Sequence, residues 1–178
     1  MKYNHTKFNG CYVIDTDIHY DSRGSFTKYY NEKEFLKNGI NYAFKEQFFT
    51  ISHKNVLRGM HFQLPPHEHC KLVSCFSGAV LDVLLDLRKG SSTYGESESF
   101  ELSANNGKTL FIPIGMAHGF LSLEDNSGML YSTSAEYAPD YDVGIQWDSF
   151  EYNWPIKNPV VSARDDNQPL FYEIDSPF

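Results

Sequence analysis

Between Leu57 and Val73 the chain reads LRGMHFQLPPHEHCKLV, setting Arg58, His61, His67, His69 and Lys71 around two prolines. Two chemistries fit such a cluster. Neutral imidazoles can hold a metal ion, or one imidazole can move a proton, since its ordinary pKa of about 6.5 lies near neutrality. Three of the seven histidines fall in this stretch, so the choice between the two largely sets the expected function.

The metal reading starts from His67 and His69, two residues apart in HEH. On a strand both would point to one side and could chelate. Further on, GKTLFIPIGMAHGFLS has the spacing G-x5-P-x-G-x2-H, ending on His118. That spacing resembles the second signature motif of cupins, small β-barrels that often hold a metal with three histidines and a glutamate. The glutamate expected shortly after HEH is missing, because CKLVSCFSG follows. Pro65 and Pro66 also make PPHEH a turn more readily than a strand. A set of His67, His69 and His118 lacks its fourth ligand. No metal is expected, and His67 reads as a loop residue in solvent.

The proton-transfer reading rests on a longer series. VLRGMHFQLPP, KLV, GAVLDVLLDLRKGSSTYG, IPIGMAHGF, LYSTSAEYAP, GIQWD and SARDDNQPL follow one another in this order. The series resembles the dTDP-4-dehydrorhamnose 3,5-epimerase family of nucleotide-sugar epimerases, over nearly the whole chain. The resemblance implies a cupin-type jelly roll, usually a homodimer, that works without metal or other cofactor. Its substrate is a nucleoside-diphosphate 4-keto sugar, inverted at C3, C5 or both. Inverting a carbon beside a ketone requires a base near neutral pKa, a cation or donor for the enolate oxygen, and an acid across the ring.

By resemblance His61 of RGMHFQ is the base. SARD resembles the family's SxKD and places its carboxylate partner at Asp165, with Asp166 one residue away as the alternative. Lys71 of KLV matches the lysine at the developing oxyanion, and Tyr131 of LYSTS matches the acid on the opposite face. His118 falls where the family has a second pocket histidine, for packing or phosphate contact. Arg58 and Arg23 match the phosphate-contacting arginines, and planar guanidinium suits a diphosphate. Both precede glycine, where backbone could approach a ligand closely. Gln63 and Tyr137 complete the expected substrate-binding set.

The chain also departs from the family. RGSFTK carries Lys28 where the pattern RGxFxE has a glutamate that helps hold the thymine nucleotide. Before VLRG, Glu46 and Phe48 stand where the thymidylyl enzymes carry a Gln-x-Asn pair. Three changes on one ligand face suggest another base. A carboxylate such as Glu46 can accept from both N1–H and the exocyclic amine of guanine, so a GDP sugar is expected, with a dTDP sugar as the alternative. His69 and Cys70 replace the glutamine and glycine usual before the lysine, which bears on the sugar accepted.

The elements that must position these residues read as β-structure. In AVLDVLLDLRKG, Leu81, Val83, Leu85 and Leu87 share one strand face and Asp82, Leu84, Asp86 and Arg88 the other. GKTLFIPIG and GMLYSTSAEY are similar, each opened by glycine, and Pro113 marks an edge or bend. NEKEFLKNG is the one good helix, capped by Asn31 and stopped by Gly39. The expectation is an all-β chain: a jelly-roll β-barrel over residues 1–178, with a short N-terminal helix and a C-terminal extension.

The 178 residues suit one domain with a real core. A net charge of −8 without any Lys/Arg cluster excludes a nucleic-acid binder, so a bound anion must be caught by a few placed arginines. Cys11, Cys70 and Cys75 read as free thiols of a reducing compartment. No leader or membrane-length apolar run is visible, and a cytoplasmic protein is expected. The rival readings are a sugar-nucleotide 3,4-ketoisomerase, a metal-dependent cupin enzyme and a non-catalytic sugar-binding module.

Overall fold

Alternating side chains and closely spaced turns give thirteen short strands in the computed structural model, which describes residues 1–178. They are β1 (Lys2–His5), β2 (Tyr12–Asp15), β3 (Ile18–Asp21), β4 (Gly24–Thr27), β5 (Glu46–Ser52), β6 (Leu57–Gln63) and β7 (Lys71–Ser77). Then come β8 (Ala79–Asp86), β9 (Ser97–Ser103), β10 (Lys108–Ile112), β11 (Met116–Ser122), β12 (Ser127–Thr133) and β13 (Asp142–Gly144). Helix α1 (Glu32–Lys37) precedes β5 and a single turn, α2 (Ala163–Asp166), follows β13.

The strands form a six-stranded sheet in the order β1-β2-β10-β7-β12-β5 and a five-stranded sheet in the order β13-β6-β11-β8-β9. From β5 onward the chain crosses from one sheet to the other at nearly every connection, the hairpin β8–β9 being the exception. This is a jelly-roll sandwich. The two sheets are not joined into a closed barrel. The crossing between β7 and β8 turns on Gly78, at φ +66, where an added Cβ would lie 2.7 Å from Ser127 Oγ. Strands β3 and β4 form a separate hairpin.

The β8 alternation is as expected, yet both of its faces are buried. Val80 and Leu84 point between the sheets into a cluster with Phe8, Leu102, Leu110, Phe120 and Met129. Val83, Leu85 and Leu87 face outward and are covered by Phe62, Ile145 and the aromatic residues of the C-terminal extension, Phe150, Trp154, Phe171 and Phe178. The extension therefore completes the packing of the five-stranded sheet. Asp82 lies on the inner face and is fully buried.

Helix α1 begins where the Asn31 side chain accepts from the Glu34 backbone N–H, a cap whose loss typically costs ~1 kcal/mol. Its apolar Phe35 docks on Ile14, Leu72 and Phe111. Pro113 sits just past the end of β10, outside the ladder. The three cysteines are free and buried, and burial pushes the thiols up, to about 12 for Cys11 and about 11 for Cys70 and Cys75. No helix is long and apolar enough to cross a membrane.

Candidate active site

A cavity of about 610 Å³ opens between the sheets at the end bounded by β5, β6, β7 and β12. That is ample for a sugar nucleotide fragment. The five-stranded sheet contributes Arg58, His61, Gln63 and His118, and the six-stranded sheet contributes Glu46, Phe48, Lys71 and Tyr131. The segment Val160–Asp165 forms a third wall.

Arg58 and His61 are three residues apart, a spacing that would place them on opposite faces of a regular strand. The pairing of β6 with β11 slips between them, His118 lying opposite His61 and Phe120 opposite Arg58. This bulge brings Arg58 onto the cavity side with His61. It forms at Gly59, where φ is +128 and an added Cβ would meet Gly119 Cα at 2.5 Å. The glycine after Arg58 is thus required by the neighbouring strand. It was expected to admit a ligand to the backbone, and the tight strand pair is the physical reason instead. Gly24, after Arg23, has nothing within 4 Å of such a Cβ.

His61 Nε2 lies 2.7 Å from Asp165 Oδ1, and Asp165 Oδ2 accepts from the Gly59 N–H. A carboxylate acceptor fixes the proton on Nε2 and leaves Nδ1 as an unprotonated acceptor. Asp165 is held in place by the α2 turn, whose Ser162 side chain accepts from the Asp165 N–H. Burial, the largest single influence, would raise this carboxyl, but the bond and charge of His61, the Gly59 N–H and Arg164 together outweigh it and hold Asp165 below the usual carboxylate range. Asp165 is buried whereas Asp166 is exposed, so Asp165 is the histidine's partner.

Lys71 Nζ donates to the His61 carbonyl oxygen at 3.2 Å. Its deep position lowers the ammonium to about 8, against the opposing pull of Asp142 and Asp82. Tyr131, on the opposite wall from His61, is 6 % exposed, and burial pushes its phenol well up. Phe48 stacks on the Tyr131 ring at 4.6 Å and 10°, and His118 meets the same ring edge-on at 6.1 Å. His118 Nε2 is 2.8 Å from Asp82 Oδ2. Burial keeps this imidazole below its ordinary value despite the carboxylate.

Of the remaining predicted residues, Glu46 lines the cavity and its Oε2 accepts from the Tyr137 N–H at 2.6 Å. Gln63 Oε1 accepts from the Ala138 N–H, and Tyr137 stands exposed at the rim. Arg58 Nε donates to Ser52 Oγ. Arg23 and Lys28 do not line this cavity. Arg23 is on the β3–β4 hairpin, paired with Asp21, and Lys28 borders a smaller hollow with His19 and Glu34.

His67, expected in solvent, is half-buried with its ring 4.4 Å from that of Tyr141. No three metal-ligating side chains converge anywhere in the chain. Sequence reasoning missed Asp82 as a partner of His118, and the ion pair Arg164–Asp142 on the cavity wall, 2.7 Å apart. The inward parity of Asp82 on its strand was a signal available for the first. Arg164 had none beyond its place in SARD.

A jelly roll enclosing a carboxylate-bonded histidine, a half-buried lysine and a tyrosine on the facing wall has the parts that proton transfer needs. Residues 5–173 match the family described as dTDP-4-dehydrorhamnose 3,5-epimerase, and the chain belongs to it. A relative of that name from Methanothermobacter thermautotrophicus is 39% identical, covering 93% of this chain and 92% of its own. Among solved structures, the Legionella pneumophila dTDP-6-deoxy-D-glucose-3,5-epimerase in complex with dTDP-4-keto-L-rhamnose is 32% identical, with a TM-score of 0.93 over 98% of this chain and 94% of that one. A 3'-monoepimerase from Streptomyces bikiniensis in complex with dTDP-quinovose is 29% identical, with a TM-score of 0.88 over 93% and 85%. The protein is an epimerase of nucleotide-activated 4-keto sugars, at work in sugar biosynthesis.

Proposed function

We propose that His61 Nδ1 removes the proton beside the C4 ketone, with Asp165 stabilising the resulting imidazolium. Lys71 neutralises the enolate oxygen, and Tyr131 returns a proton from the opposite face of the ring. Arg58 holds the diphosphate at the bulge. The carrying observation is the 2.7 Å His61–Asp165 bond on one wall with Tyr131 on the other. A phenol raised by burial is a weak acid suited to protonating a carbanion and recharging from water. Incubating the protein with nucleotide 4-keto sugars in D2O tests this reading: deuterium should enter at C3, C5 or both, and no uptake with any of them would overturn it.

The base is the finer question. Glu46 is braced by the Tyr137 N–H and retains acceptor capacity toward the cavity, and Phe48 offers an aromatic face beside it. Both suit guanine, so the proposal is a GDP sugar, although the related proteins bind dTDP sugars.

A homodimer is supported by the outer face of the six-stranded sheet. Phe49, Ile51 and Phe76 are 66%, 47% and 50% exposed there, and the Phe49 and Phe76 rings pack together. A contiguous apolar patch beside the free edge of β5 is what a second copy would cover. Arg23 and Lys28 cannot serve their own cavity, so their expected contacts with substrate require the partner's.

A further inference from the structure

His69 lines the cavity two residues before Lys71, and the catalytic scheme does not use it. Its tautomer can be read from its neighbour. Because Gln63 Oε1 accepts from the Ala138 N–H, the other end of that amide is the NH2. This Nε2 lies 2.7 Å from the His67 carbonyl oxygen and 3.0 Å from His69 Nδ1, with the Glu136 carbonyl farther, at 3.3 Å. His69 Nδ1 is therefore an acceptor, and the ring proton sits on Nε2. Nothing in the chain accepts from that buried Nε2. A donor kept from water without a partner is a costly arrangement that a bound acceptor would relieve.

The position of the donor along the site suggests which acceptor. On β6, Arg58 and Gln63 lie to either side of His61, Gln63 about 7 Å away by strand rise and Arg58 at a similar distance because the bulge absorbs one of its three residues. His69 is bonded to Gln63, hence on the far side from Arg58. A sugar held with its diphosphate at Arg58 and its C4 ketone between His61 and Lys71 would bring the substituents of C3 and C5, which flank the ketone, to the end of the cavity that His69 lines. Burial, then Lys71 and His118, lower the His69 imidazole to about 3, in keeping with a neutral ring across the working range.

We propose that His69 is a specificity-determining residue whose Nε2–H donates to an oxygen on the C5 side chain of the sugar, favouring substrates that carry a hydroxyl there over those that end in a methyl. This rests on the reading of the cavity as a nucleotide 4-keto-sugar site with Arg58 at the diphosphate.

The test compares a nucleotide 4-keto hexose bearing a C6 hydroxyl with its 6-deoxy counterpart, following deuterium uptake at C3 and C5. With the hydroxylated substrate, His69→Phe should lower kcat/KM by roughly 10- to 100-fold, and with the 6-deoxy substrate hardly at all. His69→Gln restores a donor and should recover much of the loss. Equal losses on both substrates would reduce His69 to a packing role and overturn the inference. Nitrogen-15 spectra of the unaltered protein give a readout that no variant can confound. A neutral Nε2–H tautomer between pH 6 and 8 is expected, and an Nδ1–H or protonated ring would overturn the proposal. Failure of the unaltered protein to exchange either substrate would instead sink the epimerase reading of the site, and this inference with it.

Discussion

His61 and His118 are direct cross-strand partners on β6 and β11, and each is bonded through Nε2 to its own aspartate, Asp165 and Asp82. Their surroundings part their roles. His61 has 28% of its side chain exposed and faces the cavity, whereas His118 has 4% and burial holds its imidazole below the ordinary range. One histidine is open to the cavity; the other backs the Tyr131 ring.

Replacing His61 by Asn should lower solvent exchange by roughly 10²–10⁴-fold, the usual contribution of a general base, while nucleotide binding persists. Asp165→Asn should cost roughly tenfold or more, because the amide no longer stabilises the imidazolium. Near-normal deuterium uptake by the His61 variant would remove it from the base role.

Tyr131→Phe should behave differently. His61 can still lift a proton and exchange it on the original face, so inversion should fall much further than exchange. Proton NMR of the sugar separates the two, and parallel losses would make Tyr131 a positioning residue.

Lys71 sets the alkaline limb. With its ammonium lowered to about 8, the cation needed at the enolate is lost as pH rises through 8, so kcat/KM should decline there. Lys71→Met should abolish that limb along with most activity. Stability should move the other way. Between about pH 8 and 10.5 the unfolded chain binds the proton that the folded chain has released, so unfolding free energy should increase with pH across that window. Denaturant titrations at pH 8 and 10 compare the two proteins, and the increment should be smaller in Lys71→Met.

Calorimetry with GDP, CDP, UDP and dTDP addresses the base. GDP should bind tighter than dTDP by roughly tenfold or more, and Glu46→Gln should narrow the gap. Tightest binding by dTDP would leave Glu46 and Phe48 without a role in base choice.

Phe49→Asp combined with Phe76→Asp should shift the protein from dimer to monomer in sedimentation velocity, with the fold intact by circular dichroism. A monomeric unaltered protein would remove the second copy from the account of Arg23 and Lys28.

The amino-acid sequence by itself determined several of the strands and the helix capped by Asn31, and its motifs singled out His61, Lys71, Tyr131 and the SARD carboxylate as candidates. Each of these is written in local pattern: alternation of period two, a capping asparagine, a short motif. It left Asp165 and Asp166 equal, because adjacent residues share a motif but only one faces inward from the α2 turn. It could not place Arg58 beside His61, since a three-residue spacing opposes them on a regular strand and the bulge that unites them arises from the close contact of Gly59 with Gly119. Nor could it pair Asp82 with His118, or turn His67 onto Tyr141 and His69 into the cavity. Contacts of this kind join residues distant in the chain, or decide between neighbours alike in type. Only the packing of the two sheets and the C-terminal extension makes that choice.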